Sequence, residues 1–184
     1  MIKGGHDTLR RKVTEAKGAR PPLRDADTVG DMFARLLEER LRANLRKPVS
    51  IVFQKHRNTT FGEAVATAPQ PCVLAFASLK GGAFGGILPL DAPFIFHLIE
   101  VITGVDTAVK DIPNRMLTPI DEALSEDFAS HVISCFENAV VPSRRKDARG
   151  ALRFDRFRRS IGLGVGAPDD ADMLAFEVAV SLGP

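Results

Sequence analysis

The chain has 184 residues, of which 45% are hydrophobic and 26% charged, with two Cys, twelve Phe and neither Trp nor Tyr. A chain of this length can bury a core as one domain without disulfides or metals. Its longest nearly apolar runs, 72–79 and 92–102, are shorter than the ~20 residues that a membrane-spanning helix needs. Composition therefore predicts a single-domain cytoplasmic protein with reduced cysteines.

The net charge of +2 conceals a segregation of charge along the chain. Residues 1–60 carry 14 basic and 7 acidic side chains, residues 61–141 carry 3 and 10, residues 142–159 carry 8 and 2, and residues 160–184 carry 0 and 4. An acidic body with basic flanks favours docking to charged proteins or to neighbouring copies of the chain. The alternative is a solvated surface that has no partner.

The first 27 residues, which are rich in Gly, Lys and Arg, predict a flexible basic tail, residues 1–27. Within it Leu9 and Val13 follow helical spacing, so a short helix can form there on a partner. From Thr28 onward an apolar stripe at spacings of three and four predicts an amphipathic helix that ends before Pro48.

Three short apolar segments predict strands at residues 49–55, 72–79 and 86–90. A second helix is predicted over residues 92–103, with Gly104 at its C-terminus. The segment from Thr103 to Leu117 has no period, and long loops inside compact domains are often functional.

The third predicted helix has the clearest N-terminal signal in the chain. Thr118 supplies a capping hydroxyl, Pro119 stands at the first helical position, and Asp121 follows at the third. Apolar side chains at helical spacing predict the buried face of this helix: Ile120, Leu124, Phe128, Val132, Cys135, Phe136 and Ala139. A basic loop then leads to strands near residues 152–161 and 173–182.

The order of predicted elements repeats itself. The first half reads helix, three strands, helix, and the second half reads helix and two strands; Leu74-Ala75-Phe76 recurs as Leu174-Ala175-Phe176. The predicted fold class is α/β (α+β), with an internal repeat and a central mixed sheet. We expect the last strand of the second half to be absent, which leaves the strand at 173–182 on an open sheet edge.

No arrangement of residues in the sequence is typical of catalysis, and no cofactor or metal is expected. His131 and Cys135 lie one helical turn apart, but both fall on or beside the apolar stripe, so packing is favoured over a metal site or a Cys nucleophile. Residues 144–159 interleave basic side chains with Phe154 and Phe157. This makes nucleic-acid binding an alternative, although the Phe spacing suits the core side of a strand.

Residues 28–182 resemble the middle domain of the flagellar motor switch protein FliM family, which belongs to the CheC-like superfamily. Three parts of the chain carry the resemblance: Leu41 to Val49, Leu88 to Asp91 followed by Thr103-Gly104, and Arg115 to Asp121. The last is the most specific, because it combines an Arg, two further residues and a Thr-capped helix with an acidic residue.

The resemblance implies a pseudo-symmetric three-layer α/β/α domain that is a structural, non-enzymatic subunit of the switch ring. The subunit would lie at the basal body, on the inner face of the cell membrane, and relate chemotactic signals to the direction of rotation. Implied partners are FliG-like and FliN-like subunits and copies of the chain itself, with no insertion into the membrane. The implied partner-binding residues are Thr103, Gly104, Val105, Asp106, Thr107, Arg115 and Thr118.

The chain departs from the family pattern in three ways. The family's Gly-Gly-x-Gly loop keeps one glycine here, Gly104, which implies an altered FliG contact. The acidic N-terminal peptide that captures phosphorylated CheY is replaced by a basic one, so binding of phosphorylated CheY is not expected; the replacing residues are Leu9, Arg10, Arg11, Lys12 and Val13. We also expect the C-terminal FliN-like domain to be absent.

The superfamily includes phosphatases of phosphorylated CheY, which makes an enzyme the main rival interpretation. Those enzymes carry a Glu and, three residues later, an Asn on the first helix of each half. In this chain no Asn stands three residues after a Glu on these helices. The residues three positions after Glu38, Glu39, Glu122 and Glu126 are Leu41, Arg42, Ser125 and Ala129. Because the Glu and Asn must share one helical face, the sequence disfavours this activity.

Overall fold

A computed structural model describes residues 25–104, 115, 117–140, 152–158 and 166–182. In chain order its elements are α1 (Ala26–Leu45), β1 (Val49–Thr60), α2 (Phe61–Ala66), β2 (Cys72–Leu79), β3 (Phe84–Asp91), α3 (Ala92–Thr103), α4 (Pro119–Val140), β4 (Leu152–Arg158) and β5 (Asp172–Leu182). The predicted tail, residues 1–27, lies outside the described residues except for its last three, and Ala26 begins α1.

The strands form two antiparallel groups. β1 pairs with β5, from Val49 opposite Leu182 to Thr60 opposite Asp172. β2 lies between β3 and β4 in the second group. The sequence predicted a mixed sheet, whereas every pairing in the described part of the chain is antiparallel. A tight turn after Leu79 joins β2 to β3, and such a turn can connect only antiparallel neighbours.

The strand pairings confirm the predicted internal repeat. The first strand of each half pairs with the middle strand of the other half: β1 with β5, and β4 with β2. This exchange is what a pseudo-two-fold axis between the halves produces. Within the described residues β5 pairs with β1 alone. The expected absence of a further strand and of a FliN-like domain stays a prediction.

The repeated Leu-Ala-Phe triplets are not structurally equivalent, contrary to the sequence interpretation. Phe76 belongs to a small core with Ala68 and Leu74, whereas Phe176 packs against the main core on the opposite face of the sheet. β5 alternates without interruption, so that Phe176, Val178 and Val180 face the main core, whereas in β2 the middle residue of the triplet, Ala75, faces it.

β2 shows why the domain has three layers. Its five central residues are all buried, and alternate side chains enter two cores. Val73 and Ala75 face the main core beneath α1, α3 and α4. Leu74 and Phe76 face the small core on the other side, where α2 places the buried Phe61 5.3 Å from the ring of Phe84. The α/β/α layering predicted from the resemblance is therefore confirmed.

Helix α2 was not predicted, and β1 extends to Thr60 rather than ending at residue 55. Thr60 begins α2 with a capping box: the Glu63 N–H donates to Thr60 Oγ1, and the Thr60 N–H donates to Glu63 Oε2, both at 3.3 Å. A helix of six residues is too short to show periodicity, but its Thr-x-x-Glu signal is present in the sequence.

Gly30 is required where α1 crosses β1. A Cβ at this buried position would overlap the ring of Phe53. We expect Gly30→Ala to lower the free energy of unfolding by about 1–3 kcal/mol, since a packed core resists added volume. Urea denaturation measures this effect. Gly86→Ala is the control, because its Cβ would meet no atom within 4 Å; equal losses in the two variants would contradict the account.

Candidate partner-binding site

The most specific sequence motif folds into a network around one carboxylate at the start of α4. Arg115 reaches Asp121 with both terminal nitrogens: Nη2 donates to Oδ1 at 2.9 Å, and Nη1 donates to Oδ2. The backbone N–H of Thr118 donates to Asp121 Oδ2 at 2.7 Å, and the Thr118 hydroxyl donates to the same oxygen at 2.8 Å. The Asp121 N–H in turn donates to Thr118 Oγ1 at 3.3 Å.

This network forms because the local sequence supplies each part of a helix start. Thr118 and Asp121 cap each other reciprocally, as residues three apart do at a helix N-terminus. Pro119 begins the helix where no N–H partner is needed. The negative Asp121 and Glu122 also lie at the positive end of the helix dipole.

Asp121 is only 5% exposed, so its charge depends on these partners. The Arg115 guanidinium, above all, holds the pKa of the Asp121 carboxyl well below its usual range, and the Thr118 hydrogen bonds add to this. Desolvation acts in the opposite direction but is outweighed. The hydrogen bond to Asp121 likewise raises the pKa of Arg115. The pair is therefore fully ionised at neutral pH.

Arg115 also connects α4 to α3. Its guanidinium carbon lies 4.6 Å from the centroid of the Phe96 ring, within the range of a cation–π contact. About two turns after Asp121, the Phe128 ring lies 5.1 Å from Phe94 of α3. α3 itself begins with an Asp91 cap, whose Oδ1 accepts from the Phe94 N–H at 2.7 Å. These contacts join the first half of α3 to the first half of α4.

Large apolar side chains are exposed at this corner. Ile120 is 71% exposed and Leu124 is 39% exposed, although the sequence placed both on the buried face of α4. That prediction was wrong, because the buried face instead begins with Asp121 and Ser125. At the end of α3, Ile102 is also 43% exposed. Sequence periodicity missed this surface, since it assigned every apolar residue in the stripe to the core.

The other predicted site residues divide into two groups. Thr103 ends α3 and donates its hydroxyl to the Ile99 carbonyl at 2.8 Å, and Gly104 follows in the left-handed region with φ of 74°. Thr103, Gly104, Arg115 and Thr118 thus lie at the two helix ends of the corner. The remaining residues lie outside the described part of the chain: Val105, Asp106, Thr107, Leu9, Arg10, Arg11, Lys12 and Val13.

His131 and Cys135, weighed in the sequence as a metal pair, have other surroundings. A ring nitrogen of His131 lies 3.0 Å from Asn44 Nδ2 of α1, which joins the two long helices. Burial raises the pKa of the Cys135 thiol, which disfavours the nucleophilic thiolate. Across the described ranges no three His, Cys, Asp or Glu side chains are grouped to hold a metal ion, and no helix is long and apolar enough to cross a membrane.

Comparison with known proteins identifies the family. Residues 19–143 match the family model for flagellar motor switch protein FliM. The fold resembles a chain in the crystal structure of the FliG–FliM complex from H. pylori, with a TM-score of 0.76, 19% identity, and coverage of 90% of this chain and 88% of that chain. Direct sequence comparison with curated proteins gives no significant match.

Two further structures share the fold. The FliM middle domain from H. pylori aligns with a TM-score of 0.72 and 18% identity, covering 90% of this chain and 87% of that chain. Thermotoga maritima FliY aligns with a TM-score of 0.66 and 12% identity, covering 89% and 85%. These likenesses, at 12% to 19% identity, establish the fold. Because the family model spans more than half of the chain, the chain belongs to the flagellar motor switch protein FliM family.

Replacing the central carboxylate should weaken the fold. We expect Asp121→Asn to lower the free energy of unfolding by about 2 kcal/mol, because charge-assisted hydrogen bonds to a buried group are lost. Thermal or urea denaturation at pH 7 measures the change. Asp127→Asn, an exposed position on the same helix, is the control and should change stability by less than about 0.5 kcal/mol. Similar losses in both variants would show that the network contributes little.

The Asp121 network also predicts a pH dependence. Its pKa is lower in the folded than in the unfolded state, so its stabilisation is present above the unfolded value of about 4 and declines as pH falls below it. The stability difference between the native chain and Asp121→Asn should therefore shrink from pH 5 toward pH 2. Urea midpoints of both proteins across this range measure it. A difference that is constant or grows with acidity would contradict the assignment.

Proposed function

We propose that the chain is a structural subunit of the flagellar switch ring, and that its α3–α4 corner binds a FliG-like protein. The subunit acts in the cytoplasm at the basal body, beside FliN-like subunits and copies of itself, and transmits chemotactic signals to the direction of rotation. The observation that carries this proposal is the pair of exposed apolar residues, Ile120 and Leu124, held beside the Arg115–Asp121 network.

Physical chemistry favours a protein partner at this corner. Exposed apolar side chains that cluster near a rigid element are typical of interaction surfaces, whereas scattered ones need no explanation. Ile120 and Leu124 lie one turn apart at the start of α4, and Ile102 lies in the last turn of α3. A surface fixed before binding loses little conformational entropy when the partner docks.

The identity of the partner is taken from the related structures. The similar H. pylori chain comes from a FliG–FliM complex, and its fold covers nearly the same length as this chain. Gly104, the one glycine retained from the family's loop, lies at the same corner. The loss of the other glycines makes an altered geometry of contact part of the proposal. Residues 9–13 are not expected to bind phosphorylated CheY, and this stays a prediction.

The rival activities find less support in the described residues. Glu38, a position considered for phosphatase chemistry, accepts the Ile51 N–H at 2.9 Å and pairs with Arg42 at 2.8 Å, so its carboxylate has a structural role. Phe154 and Phe157 pack against the main core with ring centroids 5.1 Å apart, and therefore do not form stacking platforms for bases. A non-enzymatic interaction protein fits both observations.

One charge placed at the corner tests the proposed contact. We expect Ile120→Glu to weaken binding to FliG from the same organism by at least about ten-fold, since it puts a charge into an apolar contact. Calorimetric titration measures the affinity, and melting curves should change little because Ile120 is mostly exposed. Val52→Glu is the control: Val52 is 53% exposed but lies on β1. Normal binding by Ile120→Glu, or equal damage by both variants, would contradict the proposal.

A further inference from the structure

The outer edges of β1 and β4 differ in whether side chains of the neighbouring helix hydrogen-bond to the strand backbone. On β1, Arg42 of α1 donates Nε to the Val49 carbonyl at 3.0 Å, and Glu38 accepts the Ile51 N–H. These side chains occupy backbone groups that a further strand would need. On β4, no described group outside β2 hydrogen-bonds to the backbone. Within the described residues, β4 is therefore an edge strand available for pairing.

A groove of about 380 Å³ runs beside this edge. Its lining comes from α4 and β4 alone: Ser130, Ile133, Ser134, Glu137, Leu152, Arg153 and Phe154. Since no residue of β2 contributes, the groove lies on the side of β4 away from its paired neighbour. The side chains that α4 contributes include two small hydroxyl residues, Ser130 and Ser134.

The two faces of β4 differ in chemistry. Phe154 and Phe157 pack toward the main core. Because the pairing of β4 with β2 shifts register between Phe154 and Arg156, Arg153 and Arg156 share the other face, where both are exposed. The strand carries Asp155 as its one acidic residue, so β4 has a net positive charge. An extended segment lying along this edge would present alternate side chains to the arginines and to the groove.

We propose that the outer edge of β4 binds an extended acidic segment of a partner protein by strand addition. Main-chain hydrogen bonds to β4 supply the affinity, and an acidic residue facing Arg153 supplies the selectivity, because Arg156 already pairs with Asp155 at 2.8 Å. The intervening residues enter the groove and are small and uncharged, because Ser130, Ile133 and Ser134 line it. This surface is separate from the α3–α4 corner, so the inference does not depend on the proposed FliG contact.

Model peptides test the inference on the full chain. The probe is a fluorescein-labelled Asp-Val-Asp-Val-Asp-Val-Asp peptide, seven residues long like β4. In fluorescence anisotropy we expect it to bind more tightly than a peptide of the same composition with the Asp and Val residues in separate blocks. Arg153→Ser should weaken binding about three- to five-fold. Arg35→Ser, an exposed arginine on α1, is the matched control and should bind normally.

Two N-methylated probes separate strand addition from simple charge attraction. In a strand, the N–H groups of the Asp residues point to one edge and those of the Val residues to the other. Methylating one set should abolish binding, and methylating the other should leave it unchanged. Equal effects of the two methylations, equal binding of the block peptide, or equal effects of Arg153→Ser and Arg35→Ser would each overturn the proposal.

Discussion

Asp121 imposes the strictest local requirement on the structure, since a charged carboxylate at 5% exposure is costly unless it is fully paired. The chain meets this requirement with one side chain from before the helix, Arg115, and with the cap residue Thr118. While it pairs with Asp121, Arg115 also lies over the Phe96 ring of α3, although its side chain remains 46% exposed. The ion pair is therefore one of the contacts that join the two helices, together with the packing of Phe94 against Phe128.

The same requirement sets the rotation of α4 about its axis. With Asp121 turned inward, Ser125 follows one turn later and donates its hydroxyl to the Asp121 carbonyl at 2.8 Å. Ile120 and Leu124 precede these residues by one position each and are carried toward solvent. Apolar packing resumes from Phe128 onward. Stability and surface exposure are thus coupled: the network that stabilises the helix start also presents the apolar residues proposed to bind a partner.

Sequence reasoning succeeded where the determining signals are local. α3 has the predicted bounds because Asp91 caps its start and Gly104 ends it, and the Thr118 cap was likewise read directly from the chain. It failed where tertiary contacts decide. The burial of Asp121 depends on a partner six residues earlier, and the different placement of Phe76 and Phe176 depends on which face of each strand meets the main core. Neither effect has a periodic signature in a single sequence.

Hydrogen–deuterium exchange of the chain with and without FliG from the same organism tests the central claim most directly. The account predicts that FliG slows exchange in the last turn of α3 and the first two turns of α4, around Ile102, Ile120 and Leu124. The paired strands β1 and β5 should exchange at unchanged rates and serve as the internal reference. Slowed exchange confined to β1, β5 or the outer face of α1, with the α3–α4 corner unaffected, would contradict the account.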